Sequence, residues 1–463
     1  MASLEHFDAI VIGSGQGGTP LCQALAKAGM RTALVEKEHI GGTCVNVGCT
    51  PTKTMIASGR VAYLARRGPD YGVRTGALSL SMERVRKRKR DIVRQFRGRN
   101  QAAILKTSNL ELIFGEAEFT GPKALLVRLR TGGKRALAAD RIFINAGCRP
   151  AVPNLPGLQG VPYLDSTSIM ELSKVPAHLI VLGGGYVGLE FGQLFRRLGS
   201  RVTIVQRSQR LLSGEDADVA DAVAQILRED GIQVFLNAAG TEVSRSGAKV
   251  TLQISVGSKT RNLTGSHLLV ATGRVPNSNT LHLQAAGIEP DARGFIRVND
   301  KLETSASGVY ALGDIKGGPA FTHISYDDFR IIRTNVLENG NATIANRLVP
   351  YTVFIDPQLG RIGLSEDQAL AQGRSFRVAK MPMNYVARAA EVDESRGFMK
   401  ALVDASTGQI LGAAVLGIEG GEIMSQIQLA MLGKLPYTSL RDAVFAHPTL
   451  AESLNNLFYH FQE

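Results

Sequence analysis

The stretch Asp8-Ala-Ile-Val-Ile-Gly13-Ser-Gly-Gln-Gly-Gly18 decides the fold. Its apolar residues run without interruption into a glycine-rich turn, which reads as a strand buried on both faces, as in a parallel sheet. The run that follows, through Ala28 and closed by Gly29, predicts a helix, and Thr32-Ala-Leu-Val-Glu36 predicts a second strand ending in an acid. In such a unit Gly13, Gly15 and Gly18 let the backbone turn tightly and approach a pyrophosphate, whose charge meets the helix N-terminus. Glu36 falls where a carboxylate can hold both hydroxyls of an adenosine ribose. The glycines alone are weak evidence, since a tight turn needs glycine for its own sake. Strand, helix and terminal acid together make a nucleotide cradle.

The unit repeats. His178-Leu-Ile-Val-Leu-Gly183 is a strand, Gly183-Gly-Gly185-Tyr186-Val-Gly188 the turn, Leu189 through Leu198 the helix, and Arg201-Val-Thr-Ile-Val205 the next strand. At the offset that separates Gly13 from Glu36, the second unit has Gln206, followed by Arg207. A neutral residue beside a cation suits a 2′-phosphate better than a bare ribose, so NADPH is expected over NADH, with Arg210 as a second contact. Two dinucleotide units in one chain imply one resident dinucleotide, FAD, and one visiting nicotinamide. A flavin is the usual relay between a hydride donor and thiol chemistry.

Directly after the first unit comes Gly41-Gly42-Thr43-Cys44-Val-Asn-Val-Gly-Cys49-Thr-Pro-Thr-Lys53. Thr50 is expected to cap a helix with Pro51 as its first residue, running from Thr52 through Arg60. Cys49 would then sit beside a helix N-terminus, where amides and dipole stabilise a thiolate, with Lys53 one turn further on. A Cys44–Cys49 bridge would close so short a loop that it stabilises by only about 2 kcal/mol. It is a poor staple and a workable redox switch. The other cysteines, Cys22 and Cys148, read as buried bystanders, and four in all are no disulfide framework.

With 463 residues the chain exceeds one core. No apolar run approaches the roughly 20 residues that span a bilayer, and the N-terminus has no basic start, so no membrane and a cytoplasmic location are expected. The net charge of +12 suggests an anionic partner, but much of the excess lies in Arg84-Val-Arg-Lys-Arg-Lys-Arg90 and on to Arg99. Met82, Val85, Ile92, Val93 and Phe96 recur there at helical spacing, so one face is expected to pack while the basic face is solvated. No nucleic-acid partner is expected from that face alone.

These motifs resemble the pyridine nucleotide–disulfide oxidoreductases, the group that includes lipoamide dehydrogenase, glutathione reductase and mercuric reductase. The resemblance spans essentially the whole chain. It also takes in Ala271-Thr-Gly273-Arg-Val-Pro-Asn277, the stretch from Thr304 to Asp314, and His447-Pro-Thr-Leu-Ala-Glu452. It implies an α/β fold, with two Rossmann-like dinucleotide-binding domains, for FAD and for NAD(P), and a C-terminal α+β dimerisation domain. The FAD domain would occupy 1–149 and 273–349, the nicotinamide domain 150–272, and the interface domain of a homodimer 350–463.

By the same resemblance, Asp314 binds the ribityl chain. Phe321-Thr-His323-Ile-Ser325 begins a helix facing the flavin pyrimidine, and Tyr186 covers the flavin until the nicotinamide enters. Lys53 and Glu190 form a charge pair beside the flavin, and a buried lysine would need that carboxylate. Cys49 is the flavin-proximal thiolate and Cys44 the interchange thiol. His447, oriented by Glu452 and supplied by the partner subunit, protonates the leaving thiolate, a task that suits a histidine. No metal is expected as a resident cofactor. Ile144-Asn-Ala-Gly-Cys148 departs from the family's usual Ala-Thr-Gly. The acceptor stays open: a small-molecule disulfide, a thiol-bound species, or mercury or copper ions, with a cysteine pair at the tail absent. Lipoamide dehydrogenase and a redox-sensing flavoprotein remain as rivals.

Overall fold

Ala9, Ile10 and Val11 are fully buried because their strand, Leu4–Ile12, lies at the centre of a parallel sheet with a core on each face. Alternate residues feed the two cores: Ile10 and Ile12 one, Ala9 and Val11 the other. Thr32–Glu36 pairs on one side of this strand and Lys134–Ile144 on the other, with Leu110–Gly121 and Val309–Ala311 outermost. Taken in chain order the parallel strands lie 3-2-1-4-5, the doubly wound order of a dinucleotide-binding sheet. Ile12 stands level with Val35 and Ile144, so the carboxyl ends of three strands align, which is where such a sheet opens its crevice. Leu110–Gly121 and Lys134–Ile144 continue into an antiparallel meander with Ala124–Leu129.

The computed structural model describes residues 4–462. The chain divides into two compact units, and this sheet belongs to the one made of Met1–Met55, Glu83–Ala151 and Gly273–Arg347. Ile56–Met82, Val152–Thr272 and Leu348–Glu463 make the other.

The second unit contains the repeat of the glycine-turn motif. His267–Val270, His178–Leu182, Arg201–Val205 and Gln233–Phe235 lie in that order, all parallel. A three-stranded meander, Ala238–Ser246, Lys249–Val256 and Lys259–Gly265, accompanies them. The rest of this unit is a five-stranded antiparallel sheet. Its order is Tyr351–Val353, Gln358–Gly363, Ile410–Gly417, Phe398–Asp404 and Phe376–Pro382. Helix Gly420–Leu432 packs closely on it: a Cβ at Gly360 would stand 2.3 Å from the Gly420 carbonyl oxygen.

Three acids just before and within the start of helix Ala217–Glu229 fix it to that sheet. Glu215 accepts from Arg361 Nε at 3.2 Å. Lys400 Nζ donates to Asp216 at 3.0 Å, to Asp218 at 2.9 Å and also to Glu366. Lys400 is almost fully buried. Burial works to depress its pKa, but Glu366, Asp218 and Asp216 outweigh it and hold the ammonium charged. The three carboxylates are grouped closely enough to hold a cation, and Lys400 supplies it.

Helix Met82–Leu105 forms as expected, with two differences. Phe96 is exposed, so the packed face ends earlier than its periodicity predicts. The basic residues are also not simply solvated: Lys89 is buried, Arg88 donates to the Thr54 carbonyl and Arg97 to Asn46. Arginine and lysine stems are long enough to pack while their heads find backbone or amide partners. Among the described residues, no helix is long and apolar enough to cross a membrane.

Removing one partner of a buried ion cluster strands the others without a counter-charge. Lys400→Met is therefore expected to lower the unfolding free energy of the whole protein by about 3–5 kcal/mol in urea titrations. A loss below about 1 kcal/mol would show that the cluster contributes nothing net.

Candidate active site

The helix at the cysteines begins two residues earlier than its sequence predicts. It spans Cys49–Arg67, and Thr52 N donates to Gly48 O at 3.1 Å. Gly48, not Thr50, is the cap, and Pro51 sits third, among amides that no helix residue can accept from, so its missing N–H costs nothing. Cys49 thereby becomes the first helical residue, at the positive end of the dipole. Its Sγ lies 3.2 Å from Thr322 Oγ1, and Thr322 opens a second helix, Thr322–Leu337. Two helix N-termini thus meet at one sulfur, an arrangement that favours the thiolate.

Cys44 lies in the short helix Gly42–Asn46. Gly42 has φ +60°, and a Cβ on it would come 2.7 Å from the Gly15 Cα. The cysteine loop is therefore pressed against the first glycine turn. Asn46 pins the loop, its Nδ2 donating to Gly42 O at 2.9 Å and Ile40 O at 3.0 Å, while Arg97 Nε donates to its Oδ1 at 2.8 Å. The hydrogen bond with Cys49, and after it burial, hold the Cys44 thiol well above the ordinary range.

In the first turn, a Cβ at Gly18 would stand 2.0 Å from the Gly13 carbonyl oxygen, so only glycine permits the close crossing. Glu36 is buried at its strand end. Its carboxylate accepts from Ser14 N at 2.9 Å, from Ser14 Oγ at 2.5 Å and from Glu38 N at 2.8 Å. Asn145, odd in sequence, has a clear role. Its Oδ1 accepts from Gly18 N at 2.9 Å and its Nδ2 donates to Leu312 O at 2.8 Å. One amide therefore ties the turn to the Val309–Ala311 strand end, needing both an acceptor and a donor.

Asp314 stands on the 3-10 turn Gly313–Lys316 after that strand. Burial pushes its carboxyl up, against the pull of Arg274 and Lys316. Arg274 Nε is 3.9 Å away, and Gly273, at φ +134°, lets the chain turn in front of it. Behind lies the fully buried Asp328, which accepts from Gly313 N at 2.8 Å and pairs with Lys316 and Arg347. His323, in the first turn of the second helix, stacks on Phe321 with centroids 5.4 Å apart. Cys22 and Cys148 are buried, their thiols pushed up to about 12 and about 11, chiefly by burial. Cys148 is less remote than a bystander, since its Sγ donates to the Asp314 carbonyl at 3.4 Å.

The second turn copies the first. A Cβ at Gly183 would meet Ala271 O at 2.3 Å, and one at Gly188 would meet Gly183 O at 2.1 Å, whereas Gly185 has open space. Gln206 takes the place of Glu36, its Oε1 accepting from Gly184 N at 2.9 Å and its Nε2 donating to Arg210 O at 3.2 Å. Arg207 beside it is exposed. Tyr186 is the first residue of helix Tyr186–Arg197, and Glu190, one turn later, accepts from Phe354 N at 3.0 Å. Lys53 belongs to the first unit and Glu190 to the second. His447 Nδ1 lies 2.8 Å from Glu452 Oε2, with the imidazole exposed.

A family model described as pyridine nucleotide-disulphide oxidoreductase matches residues 7–328, and that family's dimerisation domain matches residues 349–458. The chain belongs to the pyridine nucleotide-disulphide oxidoreductases. It is 38% identical over 459 residues to the probable pyridine nucleotide-disulfide oxidoreductase RclA of Escherichia coli, covering 98% of this chain and 99% of that protein. It is 34% identical to the mercuric reductase of Bacillus cereus, covering 97% of this chain and 70% of the relative. Among solved structures, the Cu(II) complex of the HOCl-induced flavoprotein disulfide reductase RclA from Escherichia coli matches with a TM-score of 0.90 at 37% identity, covering 98% and 99%.

The protein is thus a flavoprotein disulfide oxidoreductase that works with a pyridine nucleotide. Its residues fit FAD. The crossing at Gly13 and Gly18 would leave backbone amides for a pyrophosphate, and the buried Glu36 and half-buried Asp314 would offer carboxylate acceptors to sugar hydroxyls. Sequence reading misses Ser14, Thr322 and Asn145, of which only Asn145 leaves a signal, as an amide where the family has an alanine.

Asn145→Ala leaves the Gly18 amide and the Leu312 carbonyl without their partner, at about 1–3 kcal/mol for each buried group that stays dry. The variant is expected to purify with reduced FAD content and a lower Tm. Full flavin content and an unchanged Tm would show that the amide has no such role.

Proposed function

We propose that this enzyme oxidises NADPH, in preference to NADH, to reduce a small-molecule disulfide through Cys44 and Cys49. The observation that carries the reading is the division of labour within the pair. Cys49 sits on two helix N-termini, while the hydrogen bond with Cys49, and after it burial, raise the Cys44 thiol. FAD, when bound, supplies the two-electron relay between nicotinamide and thiols.

Cys44 gives its proton to His447 and attacks one sulfur of the substrate. A bond from Cys44 to that sulfur forms as the substrate disulfide breaks. His447 returns the proton to the leaving thiolate. The Cys49 thiolate then attacks Cys44, closing the Cys44–Cys49 bond and releasing the second product as a thiolate, which takes a proton from water. Glu452, on His447 Nδ1, fixes the tautomer and leaves Nε2 to move the proton. The imidazole's exposure supports its delivery to the partner subunit's cysteine pair, with residues 350–463 as the pairing surface of a homodimer. Lys53 and Glu190 act as a charge pair beside the flavin, and Tyr186 as the gate over it. Residues 150–272 hold the nicotinamide, and 1–149 with 273–349 hold FAD. Gln206 and Arg207 support the NADPH preference, because Gln206 does the loop-holding work of Glu36 without a charge to repel a 2′-phosphate. We place the enzyme in the cytosol, where its thiols are kept from stray oxidation.

A second reading is reduction of copper or mercury ions. It is favoured by the relative solved as a Cu(II) complex and by the mercuric reductase, and soft thiolates suit both metals.

The purified protein should be given NADPH with glutathione disulfide, lipoamide, an aromatic disulfide, mercury(II) or copper(II), beside Cys44→Ser. Disulfide turnover that the substitution abolishes is the expected result; Cys44-dependent turnover with metal ions alone would replace the first reading by the second. His447→Gln should leave flavin reduction by NADPH intact and slow disulfide turnover by about 10²-fold or more. Unchanged turnover would remove His447 from the proton path.

A further inference from the structure

The segment Tyr351–Asp356 runs along one face of helix Tyr186–Arg197. Phe354 N donates to Glu190 at 3.0 Å, Asp356 N to Gln193 at 2.7 Å, Gln193 Nε2 to Asp356 O at 2.8 Å, and Arg197 pairs with the Asp356 carboxylate. Tyr186, Glu190, Gln193 and Arg197 recur at the spacing of a single helical stripe. At the stripe's first position the contact changes character. The Tyr186 ring rests against the Tyr351 ring, with centroids 5.6 Å apart and planes tilted by 40°. The Tyr351 hydroxyl donates to Glu215 Oε1, and Glu215 Oε2 accepts from Arg361 Nε. Glu215 and Arg361 are both buried, and Glu215 adjoins the Asp216–Lys400 cluster. With the helix held at three further residues, Glu190, Gln193 and Arg197, Tyr186 moves by rotating its side chain away from Tyr351.

We propose that Tyr351 is a positioning residue for hydride delivery, its hydroxyl anchored on Glu215 so that its ring holds Tyr186 at rest and sets how readily the nicotinamide gains access. The inference rests on the reading of Tyr186 as the gate. An anchored gate spends most of its time closed, and a ligand that needs the open state binds more weakly by the fraction of time it is open. Loosening the anchor therefore tightens apparent NADPH binding, while the cysteines, held in the other unit, react as before.

The test uses the FAD-loaded enzyme in anaerobic stopped-flow, with NADPH as the probe, on Tyr351→Phe, Tyr186→Ala and the double variant. Tyr351→Phe keeps the ring and removes the hydroxyl, with its bond to Glu215 and its hydrogen bond with Tyr186. One hydrogen bond of ordinary strength corresponds to about a fivefold shift. Tyr351→Phe should lower the apparent Kd for NADPH by about fivefold, leave reoxidation by disulfide unchanged, and have no effect once Tyr186 is alanine. Glu215→Gln, which retains an acceptor, should fall between wild type and Tyr351→Phe. An unchanged Kd in Tyr351→Phe, or the same change in the Tyr186→Ala background, would overturn the proposal. Wild-type flavin that neither NADPH nor NADH reduces would overturn the proposed function itself, and this inference with it.

Discussion

An α-helix leaves its first amides without partners from its own residues, and most of the chemistry here depends on where those amides point. The helix after the first glycine turn, the helix that starts at Cys49 and the helix that starts at Thr322 all begin in the same unit. The first offers backbone donors for a pyrophosphate, and the other two meet at the Cys49 sulfur. Gly42 against Gly15 locks the cysteine loop to the nucleotide turn at a distance that no side chain could occupy. A shift of either element would therefore move the thiols relative to the cofactor they serve.

Buried charge does the complementary work. Asp328 behind the Gly313 turn, with Lys316 and Arg347, and the acids from Glu215 to Asp218, with Arg361 and Lys400, fasten loops to sheets in the two units. Such pairs contribute little net stability against hydrophobic replacements, but they are costly to break singly. Their effect is to fix position, which an enzyme passing electrons between closely placed groups requires.

Much of this is legible in the sequence. A strand buried on both faces reads as an unbroken apolar run, a crossing turn demands glycine, and a redox pair stands out in a chain with only four cysteines. Those signals are local, so both nucleotide turns, the cysteine helix and the repeat unit were readable. The helix start at Cys49 and the role of Gly48 were not, because Thr50-Pro51 is an equally good start by propensity and tertiary packing decided between them. Periodicity alone puts Phe96 on the packed face, and periodicity does not say where a neighbouring surface ends. Asn145 acts across three separate segments, Gly18, Leu312 and its own strand end, and Tyr351 acts on Tyr186 from far along the chain. Long-range pairs of this kind leave only an unusual residue type behind, and Tyr351 left not even that.

The central claim is that reducing equivalents from the nicotinamide come to rest on Cys44 and Cys49. The most direct measurement is an anaerobic titration of the oxidised, FAD-loaded enzyme with NADPH in the absence of any acceptor, counting thiols that newly become reactive after rapid denaturation. One equivalent of NADPH should generate two new thiols per chain, both lost when Cys44 and Cys49 are replaced by serine. If that equivalent bleaches the flavin and no thiols appear, the cysteine pair is not the store of electrons.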